Sequence, residues 1–139
     1  MVILVSACLL GENCKYSGGN NRSQQVLDYV AGHTVIPVCP EVMGGLPVPR
    51  LPAEIVDGVV TNRTGVSVDK AFRAGVQQVL DMIEGKHIDL AILQPRSPSC
   101  GSRQVYDGTF TGTLRPGQGV LAEALMQRGI SITDADQLR

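Results

Sequence analysis

The run Val2-Ile3-Leu4-Val5-Ser6-Ala7-Cys8 decides the fold. Four consecutive apolar residues, three of them β-branched, predict a short strand covered on both faces, as in a parallel sheet. The strand stops at Ser6-Ala7-Cys8, and a Gly-rich polar loop from Gly11 to Asn21 follows. Val26, Leu27 and Val30 then recur at helical spacing until Gly32, a residue suited to ending a helix. The opening unit therefore reads strand, loop, helix.

The same grammar repeats along the chain. Thr34-Val35-Ile36-Pro37-Val38 is the next strand, and Pro37 within it, lacking a ladder donor, marks either a sheet edge or the strand's end. It ends at Cys39. The stretch Pro40 to Pro52, with its prolines and the Gly44-Gly45 pair, predicts a wall of turns without regular helix. Ile55 to Val60 predicts a hairpin on Asp57-Gly58. From an N-cap at Ser67, Val68, Phe72, Val76, Val79, Leu80 and Ile83 trace one face of a long helix ending at Gly85. Ile88 to Leu93 is a third buried strand, leading into Gln94-Pro95-Arg96-Ser97-Pro98-Ser99-Cys100-Gly101. Beyond a Gly/Thr-rich segment (Tyr106 to Gly117), a helix carrying Val120, Leu121 and Leu125 and a last strand at Ile130-Ser131-Ile132 close the pattern. The expectation is α/β: a single domain over residues 1–139, with an open, mainly parallel sheet and flanking helices, Rossmann-like.

Composition agrees with a buried sheet and narrows the partners. Residues are 43% hydrophobic, 18% charged and 4% aromatic, an aliphatic profile with 16 Gly for tight turns. With a net charge of −1 and no basic cluster interleaved with aromatics, the electrostatic footprint of a polynucleotide binder is missing, and a small molecule is the expected partner. No apolar run reaches the roughly 20 residues that cross a bilayer. The few residues ahead of Cys8 are too short for a signal peptide, so a cytoplasmic protein is expected.

In a reducing compartment four cysteines are ligands or reactive thiols sooner than a disulfide framework. Cys8, Cys39 and Cys100 each follow a strand exit, and parallel topology delivers all such exits to one edge, where ligands bind. Each thiol read singly is equally well a small buried hydrophobe. If they bind metal, thiolates select zinc or iron–sulfur clusters. The paired Cys-x(2–4)-Cys knuckles of structural zinc are missing, since Cys8 and Cys14 stand five residues apart. A cubane on three protein thiolates leaves one iron open, as a catalytic site needs. Cys14 is a fourth ligand, a sulfur acceptor or a bystander. A thiol oxidoreductase ranks last, because Cys-x-x-Cys is absent.

Ser6-Ala7-Cys8-Leu9-Leu10-Gly11 with Cys14-Lys15-Tyr16, Cys39-Pro40-Glu41-Val42-Met43-Gly44-Gly45-Leu46 with Pro49-Arg50, and Ser97-Pro98-Ser99-Cys100-Gly101 together resemble the family of thiouracil desulfidases (TudS). The resemblance spans nearly the whole chain. It implies an α/β fold holding an oxygen-sensitive [4Fe-4S] cluster on Cys8, Cys39 and Cys100, with the open iron taking the sulfur of a 2-thiouracil-like base. The implied reaction exchanges C=S for C=O with release of sulfide and no net redox change. Within it, Glu41 is the expected general base for water, and a hydroxyl beside Cys100, Ser97 in preference to Ser99, assists it. The ordinary readings stand beside these: Glu41 pairing with Arg50 or capping loop amides, a serine bonding local backbone, and Arg50 bracing a loop instead of meeting substrate. The family tends to carry an acidic residue after the first motif's aromatic, where this chain has Ser17. The rival functions are a related sulfur-transfer enzyme and a non-catalytic iron–sulfur or zinc module in which Cys14 completes four ligands.

Overall fold

A computed structural model describes residues 1–138. Strands β1 (Val2–Ser6), β2 (Thr34–Val38), β5 (Leu90–Leu93) and β8 (Ile132–Asp134) form one sheet in the order β2-β1-β5-β8, every neighbouring pair parallel. This is the expected α/β architecture. The chain steps from β1 to β2 on one side and returns to β5 on the other, so the topological switch lies between β1 and β5. Of the two places open to Pro37, β2 takes the sheet edge.

Alternation along β1 divides the core. Ile3 and Val5, with Ile92, pack against helix α1 (Gln24–Val30) through Val26 and Val30. Leu4, with Ala91 and Leu93, faces α3 (Asp69–Ile83) and α4 (Val120–Gln127) through Phe72, Val76, Val79, Leu121 and Leu125. Both faces of the central strands are buried, which is why β1 reads as an unbroken apolar run.

Four local expectations are corrected. Within the proline-rich stretch, Pro40–Met43 forms a one-turn helix, α2; Pro40 stands in its first turn, where a missing amide costs nothing. The N-cap of α3 is Val68, one residue beyond Ser67, whose hydroxyl accepts from the Asp69 amide at 3.4 Å, while the Asp69 carboxylate accepts from the Val60 amide (3.0 Å) on the hairpin β3 (Ala53–Val56) and β4 (Val59–Asn62). The Gly/Thr-rich segment contributes a second antiparallel pair, β6 (Gln104–Tyr106) and β7 (Leu114–Pro116). The last strand sits two residues later than expected, its Asp134 buried and accepting from the Ser102 amide and hydroxyl at 3.1 and 2.7 Å. Among the described residues no helix is long and apolar enough to cross a membrane.

Helices α2 and α3 cross in backbone contact at Gly44 and Gly75. A Cβ on Gly75 would run into the Pro40 carbonyl, and one on Gly44 into that of Ala71. This close approach seats α2, which begins at Cys39 and carries Glu41. Gly75→Ala is therefore expected to lower the unfolding free energy by about 1–3 kcal/mol despite alanine's better helix propensity, read as a lower urea midpoint.

Candidate active site

Cys8 lies in the tight 3-10 turn Ala7–Leu10 directly after β1, Cys39 immediately follows β2, and Cys100 follows the loop leaving β5. All three line one cavity of about 630 Å3 at the carboxyl edge of the sheet, together with Cys14, Glu41, Ser97, Ser99 and Arg50. Every site residue singled out in the sequence is thus brought to one place.

The loop to Cys100 is held from two sides. The Ser97 hydroxyl accepts from the amides of Ser99 and Cys100, both at 3.1 Å, closing a turn. The first amides of α4 take the loop's carbonyls: Val120 donates to Pro98 (3.0 Å) and Leu121 to Ser99 (2.8 Å). Gly119 makes this fit, since a Cβ there would stand 2.8 Å from the Cys100 nitrogen.

Polar groups reach the thiols individually. Asn21 Nδ2 donates to Cys8 Sγ at 3.5 Å, and Ser99 Oγ lies 3.6 Å from Cys100 Sγ. The Cys14 thiol donates to both Cys8 and Cys39, which outweighs burial and brings each of them down to about 7; Asn21 adds to the effect at Cys8 and the Val42 amide at Cys39. Cys14 is the counterpart, its own ionisation pushed up by donating to two thiolates. Burial pushes Cys100 up to about 12, against hydrogen bonds from Ser6 and Ser99. Among the described residues, no three or more His, Cys, Asp or Glu converge tightly enough to hold a single metal ion.

Glu41 is clamped between a cation and a hydroxyl. Arg50 Nε donates to its Oε1 at 3.1 Å and Ser99 Oγ to its Oε2 at 2.9 Å. Arg50 also donates to the carbonyls of Pro47 (3.1 Å) and Cys14 (2.8 Å), and its side chain is only 7% exposed. Arg50 thus pairs with Glu41 and braces the loop while also lining the cavity. Ser99 touches Glu41; Ser97, 3.0 Å from Ser99 Oγ, is linked to the carboxylate through it.

With this geometry in place, comparison with known proteins is decisive. A family model described as 2-thiouracil desulfurase matches residues 3–137. The chain belongs to that family. Its resemblance to thiouracil desulfidases, read from three motifs, is borne out. Another relative is the uncharacterized Bacillus subtilis (strain 168) protein YbbK, 33% identical over 99% of this chain and 97% of its own length. Among solved structures, the [4Fe-4S]-dependent thiouracil desulfidase TudS superimposes with a TM-score of 0.91 and 38% identity, covering 98% of this chain and 91% of that one.

Three contributors escaped the sequence reading. Asn21 bears on Cys8 from outside any motif, Ser6 opens the first motif but was given no role although it reaches Cys100, and the β6–β7 segment brings Tyr106 and Phe110 to the cavity. The apolar and polar alternation around Val105 was the available signal for that pair. Removing the clamp tests its structural weight. Arg50→Met strands a mostly buried carboxylate and the Cys14 carbonyl, and is expected to cost on the order of 3 kcal/mol in urea unfolding, with Arg50→Lys losing less.

Proposed function

We propose that the protein is a desulfidase that converts a thiolated pyrimidine base such as 2-thiouracil to its oxygenated form. Carbon exchanges C=S for C=O, water supplies the oxygen, and hydrogen sulfide leaves, so no electrons are transferred. The reading places a [4Fe-4S] cluster on Cys8, Cys39 and Cys100 with one iron open. The donor set fits that group: three cysteine sulfurs line one cavity, Asn21 donating to Cys8 and the Val42 amide to Cys39, and soft thiolates suit iron. Four free cysteines without a disulfide suit a reducing, cytoplasmic setting.

The observation that carries the reading is Glu41, held by Arg50 and Ser99 on the cavity that the cysteines line. The bound cluster would supply a soft Lewis acid for the thione sulfur. Glu41 takes the proton of the attacking water, and Arg50 holds the carboxylate in place through its 3.1 Å contact with Oε1. Ser99 orients Oε2, while Ser97 orders the loop and backs the Ser99 hydroxyl.

The contacts of Cys14 with Cys8 and Cys39 give a second reading, a four-thiol module without an open site. The two separate cleanly. In protein rebuilt anaerobically with iron and sulfide, Cys8→Ser, Cys39→Ser and Cys100→Ser are each expected to lose the cluster. Cys14→Ala is expected to keep its iron and sulfide content; loss of both would favour the module. Turnover of 2-thiouracil, followed by thione absorbance and sulfide release, is expected to fall about 10²–10⁴-fold in Glu41→Gln at unchanged iron content. Ser99→Ala is expected to lose more turnover than Ser97→Ala. Full cluster loading without turnover of any thiolated base would overturn the proposal.

A further inference from the structure

The aromatic residues of this chain are few and unevenly placed. There are five, two Phe and three Tyr, and Tyr16, Tyr106 and Phe110 all line the same cavity as the cysteines and Glu41. Phe110 is the unusual one. Among the described residues, three without glycine's freedom have positive φ: Asp57 (49°), Arg96 (63°) and Phe110 (57°). Asp57 occupies the Asp-Gly turn between β3 and β4, where that conformation is ordinary. For a bulky aromatic it is costly, and it persists only where the surroundings impose it.

The surroundings do so here. Glu54, on β3, accepts the amides of Gly108 (3.0 Å) and Phe110 (3.2 Å) on a single oxygen. Gly108 lies so close to β3 that a Cβ would stand 2.7 Å from the Ile55 carbonyl. Asp107 accepts from the Thr109 amide at 3.0 Å and from its hydroxyl. The loop is thus fastened to the neighbouring hairpin in a form that holds Phe110 against the cavity, though a glycine would hold that backbone at less cost.

A phenyl ring offers no hydrogen bond; what it offers a cavity ligand is a flat π-face. We propose that Phe110 stacks on the ring of the substrate and sets specificity for planar heteroaromatic thiones over aliphatic thioamides. The inference rests on the desulfidase reading of the site and names the chemistry that the site selects.

The test compares wild-type, Phe110→Ala, Phe110→Tyr, Phe110→Leu and Phe110→Gly proteins, all cluster-loaded to equal iron content. In Phe110→Ala, KM for 2-thiouracil is expected to rise roughly tenfold to a hundredfold, as loss of base stacking does, with kcat within about threefold. Inhibition by uracil, which lacks the sulfur, should weaken by a similar factor, while turnover of thioacetamide stays unchanged. Tyrosine should restore the wild-type values and leucine should not. Phe110→Gly should lose binding as alanine does yet melt at a higher temperature than Phe110→Ala, separating recognition from folding. Unchanged KM and uracil inhibition in Phe110→Ala, or full rescue by leucine, would overturn the proposal. Calorimetric titration of 2-thiouracil keeps the two readings apart. Phe110-dependent binding without turnover removes the desulfidase and keeps the stacking, turnover indifferent to Phe110 does the reverse, and no binding removes both.

Discussion

The site exists because β1 is paired in parallel register on both sides. Val5 stands opposite Pro37 of β2 and Ile92 of β5, so all three strands leave the sheet at the same edge. Cys8 and Cys39 follow their strands within two residues, and each is delivered to the cavity by strand geometry alone. Cys100 is farther from its strand and depends on a second device, the α4 amides that receive the carbonyls of Pro98 and Ser99. A one-residue slip of β1 would turn its buried faces over and separate the thiols. The apolar core that fixes this register therefore also fixes the spacing of the sulfurs.

Around that frame, polar groups are assigned with little left over. Arg50 joins three segments by bonding Glu41, Pro47 and Cys14, so one side chain ties the carboxylate to the loop that carries the fourth cysteine. Among the described residues no buried side-chain nitrogen or oxygen lacks a partner. Order of this kind is what a site needs if its donors are to be in place before a substrate arrives. The hydrogen bonds reaching the thiols belong to the same scheme, since partners around a ligand set its orientation and its electron density.

Much of this was legible in the sequence where the signal was periodic. The strands of the main sheet and the long helix α3 follow from β-branched runs and helical spacing, and the cysteines at strand exits follow from parallel topology. The misses have local causes. A one-turn helix beginning with Pro40 carries no periodicity, and the β6–β7 pair is three residues long on each side of a Gly/Thr-rich loop. Ser97 and Ser99 stand two residues apart in one loop, and only the fold shows that Ser99 meets Glu41 while Ser97 caps the backbone. Cys14 could not be assigned from spacing, because its place between Cys8 and Cys39 depends on how the Gly-rich loop folds back.

An iron–sulfur cluster on three thiolates would keep one iron for the substrate. Mössbauer spectroscopy of the iron-57 protein, before and after anaerobic addition of 2-thiouracil, addresses it most directly. One iron distinguishable from the rest, whose signal alone shifts with substrate, is the expected result. Equivalent irons that do not respond to 2-thiouracil would contradict it.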